Sequence, residues 1–340
     1  DANISLSHSI GKVGLIEREN ATIINAALAN LAVDIVESFK NALKKLNIDA
    51  PLYISQNDGT LMRPDKVKQY PVLTFACGPT NSMRGAAYLS GIQDSIIVDI
   101  GGTTSDVGYI KAGFPRQSAI ATDVGGVRTN FRMPDIISIG LGGGSLIRDN
   151  GNKVGPDSVG YRLTEKALVF GGETLTATDI AVKHYDLDIG DKSLLNKLDE
   201  STVKNAKKEI TRLLEDAVDK MKTSAENVPA VFVGGGTILN KENLNGISEL
   251  VIPDNFAVAN AVGAALGQVS GEVDRVFHYE KLGREKTIEQ ASNEAKQLAK
   301  EAGAKESSIE INEINENPLA YLPGKSVRLQ IKAIGDLENY

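Results

Sequence analysis

The stretch DSIIVDIGGTTSDVGYI (94–110) decides the fold. Ser95–Ile100, SIIVDI, is mostly apolar, of the kind found in strands buried on both faces. An acid, Asp99, stands one residue before its end, and the stretch runs into the turn GGTTSD (101–106) before a second strand, VGYIKAG (107–113), begins. Gly101 and Gly102 let a ligand approach the backbone with no Cβ in the way. Thr103, Thr104 and Ser105 add hydroxyl donors, and Asp99 and Asp106 add carboxylates. Exposed amides, hydroxyls and an acid able to hold a cation are what a phosphate tail requires. Because the turn joins two strands, it is neither a Gly-Lys-Ser/Thr loop nor a GxGxxG turn, both of which open helices. A tight hairpin whose carboxylates cap turn amides gives the same string.

Outward from this turn, further glycine runs stand beside predicted strands. Ala230–Val233 is an apolar strand ending in Gly234-Gly235-Gly236, which would let a base or ribose lie against the backbone. Gly142-Gly143-Gly144 follows Arg128 and Arg132. Those arginines could clamp an anion or form a solvated surface pair. Helices are predicted over 20–46, 78–90, 177–186, 201–224, 256–270 and 286–302 from apolar periodicity. The first carries the stripe Ile24, Leu28, Leu31, Ile35, Phe39 and Leu43, and the fifth a small-residue lane, Ala259, Gly263 and Gly267, suited to close packing or to a ligand. Short strands are expected at 52–55 and 72–77, with more strand material over 117–140. The domain reading is 1–90, 91–271 and 272–340, the last a small α+β module.

Composition narrows the function classes. The net charge of −7 argues against a nucleic-acid polymer as partner, which needs a basic face. One nucleotide is another matter, because backbone amides and a metal ion can hold its phosphates. The single cysteine, Cys77, excludes an intramolecular disulfide and fits a reducing, cytoplasmic setting. It sits in an apolar run and reads as an inert thiol. His8, His184 and His278 are too far apart in sequence to share metal-ligand spacing. No signal peptide or apolar run of spanning length is predicted, so no membrane partner is expected. The sequence opens at Asp1 and already reads as folded protein, which suggests a piece of a longer chain.

The order of elements, a helix GPTNSMRGAAYL, a strand ending DIGGTTSD, then a strand ending VGGGT, resembles the second lobe of the actin, sugar-kinase and heat-shock-chaperone ATPase fold, an α/β lobe with a mixed sheet. A closer resemblance is to the hydantoinase A and 5-oxoprolinase family. It is carried in order by SHSIGKVGLIERENATIINAAL (7–28), SQNDGTLM (55–62), ACGPTNSMRGAAYL (76–89), DIGGTTSDVG (99–108), GGVRTNFRMPDIISIGLGGGS (125–145), VGPDSVGYRLTEKAL (154–168) and VGGGT (233–237). That resemblance implies ATP- and Mg²⁺-dependent ring opening of a cyclic amide such as a hydantoin or 5-oxoproline. Some relatives are carboxylase subunits, and many work with a separate hydantoinase B-like subunit; a homo-oligomer is compatible. By motif position, Gly101, Gly102, Thr103 and Thr104 would hold phosphates, and Gly234, Gly235 and Gly236 the adenosine. Asp99 would hold Mg²⁺ or orient the acceptor, and Asp106 would support it. Family members usually begin with another acid-glycine-glycine-threonine loop, which is not found here, so 1–90 would be the tail of the first lobe. The chain alone would then bind ATP weakly and turn nothing over. A nucleotide-sensing or assembly protein, or a kinase, remains the alternative, since fold does not fix function.

Overall fold

The computed structural model describes residues 4–12, 14–118, 121–323 and 325–338. Its elements in chain order begin with α1 (Ile16–Lys45), β1 (Ile54–Ser55), β2 (Leu61–Met62) and α2 (Cys77–Ser90). Then come β3 (Ser95–Ile100), β4 (Ser105–Lys111), β5 (Phe114–Pro115), β6 (Ile136–Ile139), β7 (Ser145–Arg148) and β8 (Lys153–Ser158). They are followed by α3 (Ala177–Tyr185), α4 (Glu200–Met221), β9 (Val228–Val233), β10 (Ile247–Val251) and α5 (Ala259–Ala264). The last are β11 (Gln268–His278), α6 (Arg284–Glu301), β12 (Glu310–Pro318) and β13 (Ser326–Asp336).

Two compact units result, one from 1–77, 117–133 and 266–340, the other from 78–116 and 134–265. This division corrects the expectation of three consecutive domains. The 272–340 segment is not a separate module: β11 pairs in parallel with β2 through Val269 and Leu61, within one sheet ordered β1-β2-β11-β13-β12. Helix α6 covers that sheet with Ala291, Ala295 and Ala299, all fully buried.

The other unit is built on a mixed sheet ordered β10-β9-β3-β4-β5, with β6 also on β4. Strands β9 and β10 run parallel to β3, whereas β4 returns antiparallel to it. Ile96, Val98, Ile100 and Phe232 are all 0% exposed, which explains the mostly apolar runs in β3 and β9. Helix α4 packs Ile210, Leu214, Ala217 and Met221 onto this core, as its periodicity predicts. Its start is fixed by Asp199, which accepts from the Thr202 amide at 2.9 Å.

Two local expectations are corrected. Residues 72–77 do not form a strand; Pro71–Thr74 is a 3-10 turn, and α2 begins at Cys77. Pro71 fixes the first residue of that turn, and Val72 is buried in a cluster with Ile10, Ala21 and Phe131. The 256–270 helix is shorter: Phe256–Val258 is a 3-10 turn, α5 ends at Ala264, and β11 starts at Gln268. Some of the strand material expected over 117–140, Ala119 and Ile120, lies outside the described residues; the rest includes a hairpin of Thr122–Val124 and Val127–Thr129.

Helix α1 corrects a third. It buries Ala21, Asn25, Ala29, Ala32 and Val36, whereas Leu31, Ile35 and Phe39 of the predicted stripe stand 53%, 42% and 53% exposed. Small side chains allow close approach, so the narrower lane wins the inner face. By length and composition alone α1 is also apolar enough to cross a membrane, contrary to the sequence expectation, although a core helix can pass the same criterion.

The small-residue lane of α5 is a packing device. A Cβ on Gly263 would lie 1.8 Å from the Asn81 carbonyl oxygen, and one on Gly85 1.9 Å from that of Ala259. Helices α2 and α5 therefore cross with backbones touching. Gly263→Val is expected to destabilise this unit by at least about 1–3 kcal/mol, the usual cost of overpacking. Thermal denaturation checks this; an unchanged midpoint would contradict the crossing.

Candidate functional site

The turn after β3 joins two antiparallel strands, as the sequence predicts. It is closed by the Gly101 amide donating to the Thr104 carbonyl at 2.9 Å, and Gly102, Thr103 and Thr104 are exposed. Strand registry places Asp99 directly opposite Asp106 on β4, and Asp106 opposite Ser138 on β6. Directly opposed residues point to the same sheet face. Two carboxylates and a hydroxyl therefore form a row across three strands, and the Ser138 hydroxyl donates to Asp106.

Asp99 is half-buried. Burial raises its carboxyl above the ordinary value and the neighbouring Asp106 adds to the rise, while a hydrogen bond from Ser82 opposes them. Ser82 comes from α2. It is held by Asn260 of α5, whose side-chain amide donates to the Ser82 hydroxyl at 3.2 Å and to the Gly78 carbonyl at 2.8 Å. The backbone-to-backbone crossing of these helices thus sets the distance from Asn260 through Ser82 to Asp99.

The third glycine run meets the same carboxylate. Strand β9 pairs Val233 with Asp99, and the chain then turns at Gly234 with φ +87°. A Cβ there would lie 2.3 Å from Asp99 Oδ1, so both conformation and space demand glycine. Gly236 packs on the end of β3, where a Cβ would meet the Gly101 carbonyl oxygen at 2.7 Å. Gly235 alone of the three is exposed, with open space around its Cα.

The second glycine run, 142–144, also belongs here. The amides of Gly143 and Gly144 donate to the carbonyls of Gly101 and Gly102 at 3.0 and 2.7 Å, and Ser105 Oγ donates to the Leu141 carbonyl at 2.6 Å. Sequence reasoning assigns this loop no role, and it misses Ser82 and Ser138. Ser82 lies inside the quoted GPTNSMRGAAYL motif; Ser138 carries no signal of its own.

Arg132 does not clamp an anion beside the glycine loop. It sits in the other unit, in a buried ion cluster around Asp58, which is 1% exposed. Arg132 and Lys332 reach Asp58 Oδ2 at 3.1 and 2.9 Å, and Arg132 also binds Glu272 at 2.6 Å. Thr60 donates its amide and hydroxyl to Asp58 Oδ1 at 3.0 and 2.6 Å. Burial alone would raise the Asp58 carboxyl, but the two cations outweigh it and hold it well below the usual carboxylate range. The other cation, Arg128, is exposed and 3.6 Å from Glu17.

The row has two carboxylates to offer a cation. Among the described residues no group of three or more His, Cys, Asp or Glu could enclose a metal, so a cation held wholly by protein ligands is not supported. Mg²⁺ commonly uses one or two carboxylates and takes its other ligands from phosphates and water, and Asp99 with Asp106 offers that number. Cys77 is half-buried. His184 lies 3.6 Å from Glu242 and His278 bonds Ser326, so neither joins this row.

Comparison with known proteins gives a consistent pattern. The hydantoinase/oxoprolinase family model matches residues 18–222. Caprolactamase subunit alpha of Pseudomonas jessenii is 26% identical over 261 residues, which is 73% of this chain and 36% of that protein. Acetone carboxylase beta subunit of Xanthobacter autotrophicus is 30% identical over 171 residues, 48% of this chain and 23% of that one. The chain thus spans about a third or less of the curated relatives it matches. Among solved structures, the ATP-dependent caprolactamase of Pseudomonas jessenii superposes with a TM-score of 0.73 at 18% identity, over 98% of this chain and 60% of that one. The α/β architecture with a mixed sheet, expected from the motif order, is the fold the two share.

Proposed function

The chain belongs to the hydantoinase/oxoprolinase family, and from that premise we propose that it contributes a nucleotide-phosphate site to an ATP-dependent enzyme acting on a cyclic amide. One observation carries the reading. Asp99, the exposed residues Gly102–Thr104 and the Gly234–Gly236 run, distant in sequence, meet at the end of one strand.

An unstrained cyclic amide is resonance-stabilised and its nitrogen is a poor leaving group. ATP, when bound, supplies the phosphoryl group that makes the amide carbon open to water. The protein's share is positioning and charge compensation. The amides of Gly102 and Thr103 and the hydroxyls of Thr103 and Thr104 hold the phosphates, whereas Gly101, expected to join them, spends its own amide closing the turn. Asp99 holds Mg²⁺ or orients the acceptor oxygen, and Asp106, fixed by Ser138, supports it from the next strand. Gly235, the open member of its run, lies against the nucleoside. A hydantoinase B-like subunit completes the enzyme.

A second reading shares the first step. The likeness to an acetone carboxylase subunit favours activation of a carbonyl compound for carboxylation. The two separate by product. The whole protein, with any partner subunit, is expected to release phosphate from MgATP only when a lactam or hydantoin is added, with ring-opened amino acid formed in step. A requirement for bicarbonate and a ketone would favour the carboxylase. Phosphate release indifferent to any carbonyl compound would defeat both.

A further inference from the structure

We infer that the glycine loop 142–144, hung on Thr178, is the positioning device of the phosphate turn: by engaging the carbonyls of Gly101 and Gly102 it aims the amides of Gly102 and Thr103 at the ligand. The inference rests on the ATP reading above and adds a residue set that reading does not need.

The argument starts from the peptide group. In a trans peptide the C=O and the following N–H point in opposite directions within one plane. The Gly101 and Gly102 carbonyls both accept from the loop, so each plane is held with its carbonyl side toward 142–144. The N–H groups of the same two planes, those of Gly102 and Thr103, then point to the opposite side, where both residues are exposed. Among the described residues none accepts from these two amides. Without the loop, two glycine-flanked planes could rotate and present carbonyls to a phosphate, which would repel it. Holding them beforehand removes that reorganisation from the binding step.

The loop is itself fixed. Thr178 donates both its amide and its hydroxyl to the Gly143 carbonyl, each at 2.9 Å. Thr178 stands in the first turn of α3, which is locked by the reciprocal bonds of Thr176 and the buried Asp179. Gly142 packs directly against the turn. A Cβ there would lie 2.5 Å from the Thr103 nitrogen and 2.6 Å from the Gly102 carbonyl carbon. Backbone cannot swing aside as a side chain can, so any larger residue must displace the turn.

The test compares MgATP with adenosine, which has no phosphate, by titration calorimetry on the whole protein with any partner subunit. Gly142→Ala is expected to weaken ATP by about tenfold or more, the scale of losing preorganised donors, and to leave adenosine within about twofold. Thr178→Val removes one hydroxyl donor and is expected to weaken ATP by about two- to tenfold, with Thr178→Ser restoring it. Equal loss of both ligands, or an unchanged preference for ATP, would overturn the inference. Should Gly142→Ala fail to fold, the valine and serine pair at 178 decides by the same criteria. A wild-type protein with no preference for ATP over adenosine would instead remove the ATP reading.

Discussion

Asp99→Asn in the whole protein is expected to cut turnover by about a hundredfold or more, the scale seen when a positioned catalytic group is lost, while changing ATP affinity little. Asparagine keeps the size of the side chain and can still accept from Ser82, so the β3 terminus and its contact with Gly234 stay in place. Only the charge goes. Charge at this position matters most as the phosphoryl group transfers, so kcat falls more than binding. The pH profile gives an independent check. Burial and Asp106 raise the Asp99 carboxyl, so the acid limb of kcat/KM is expected above the ordinary carboxylate range. It should vanish in the variant. Wild-type turnover from Asp99→Asn would end the assignment of this loop to the chemistry.

The second large effect is on stability. Asp58→Asn is expected to cost about 3–5 kcal/mol, the cost of breaking a buried ion pair. The magnitude falls toward the low end because Glu272 still faces Arg132. Asparagine can keep the Thr60 hydrogen bonds through its amide oxygen, but its NH₂ replaces Oδ2 and cannot accept from Arg132, Lys332 or Ser270, so charge and acceptor are lost together. Arg132 and Lys332, 12% and 5% exposed at their side chains, are left with too little negative charge. The pH dependence follows from the direction of the shift. Asp58 is held below its unfolded value of about 3.9, so its stabilisation is complete above that value and disappears as pH falls toward the folded one. Denaturant midpoints at pH 7 and pH 3 check both statements. The wild type should lose only about 1 kcal/mol of its advantage at the lower pH, the rest going below it. Equal midpoints at pH 7 would show that the cluster contributes no net stability.

How far the sequence discloses this molecule depends on what each residue answers to. The β3 turn was legible because its signal is local: an apolar run, an acid, two glycines and hydroxyls, in chain order. Helix α4 was legible because one stripe of large apolar residues faces one core. Helix α1 was not, since apolar residues occur around much of its circumference. Periodicity then cannot say whether the leucine and phenylalanine stripe or the alanine lane is inside, and the answer lies in how close a neighbour can come. The 142–144 loop acts through backbone amides that no side chain advertises. Arg132 misled for a related reason: proximity in sequence to a glycine loop said nothing of its partners Asp58 and Glu272, which come from distant segments.

The sheet ordered β1-β2-β11-β13-β12 sets the schedule on which the chain can fold. Its strand β13 pairs along its full length with β11 and with most of β12, yet comes last in the chain order of that sheet. Residues 54–62 emerge from the ribosome long before the strands they will join, with the other unit's segments synthesised in between. That other unit draws on 78–265, interrupted once, and can complete its sheet while the first waits. Loop closure over so long a span carries an entropic cost before any pairing returns it. Synthesis therefore imposes an order on assembly: the unit bearing the nucleotide loops first, and the sheet holding Asp58, Glu272 and Lys332 only after β13 has arrived.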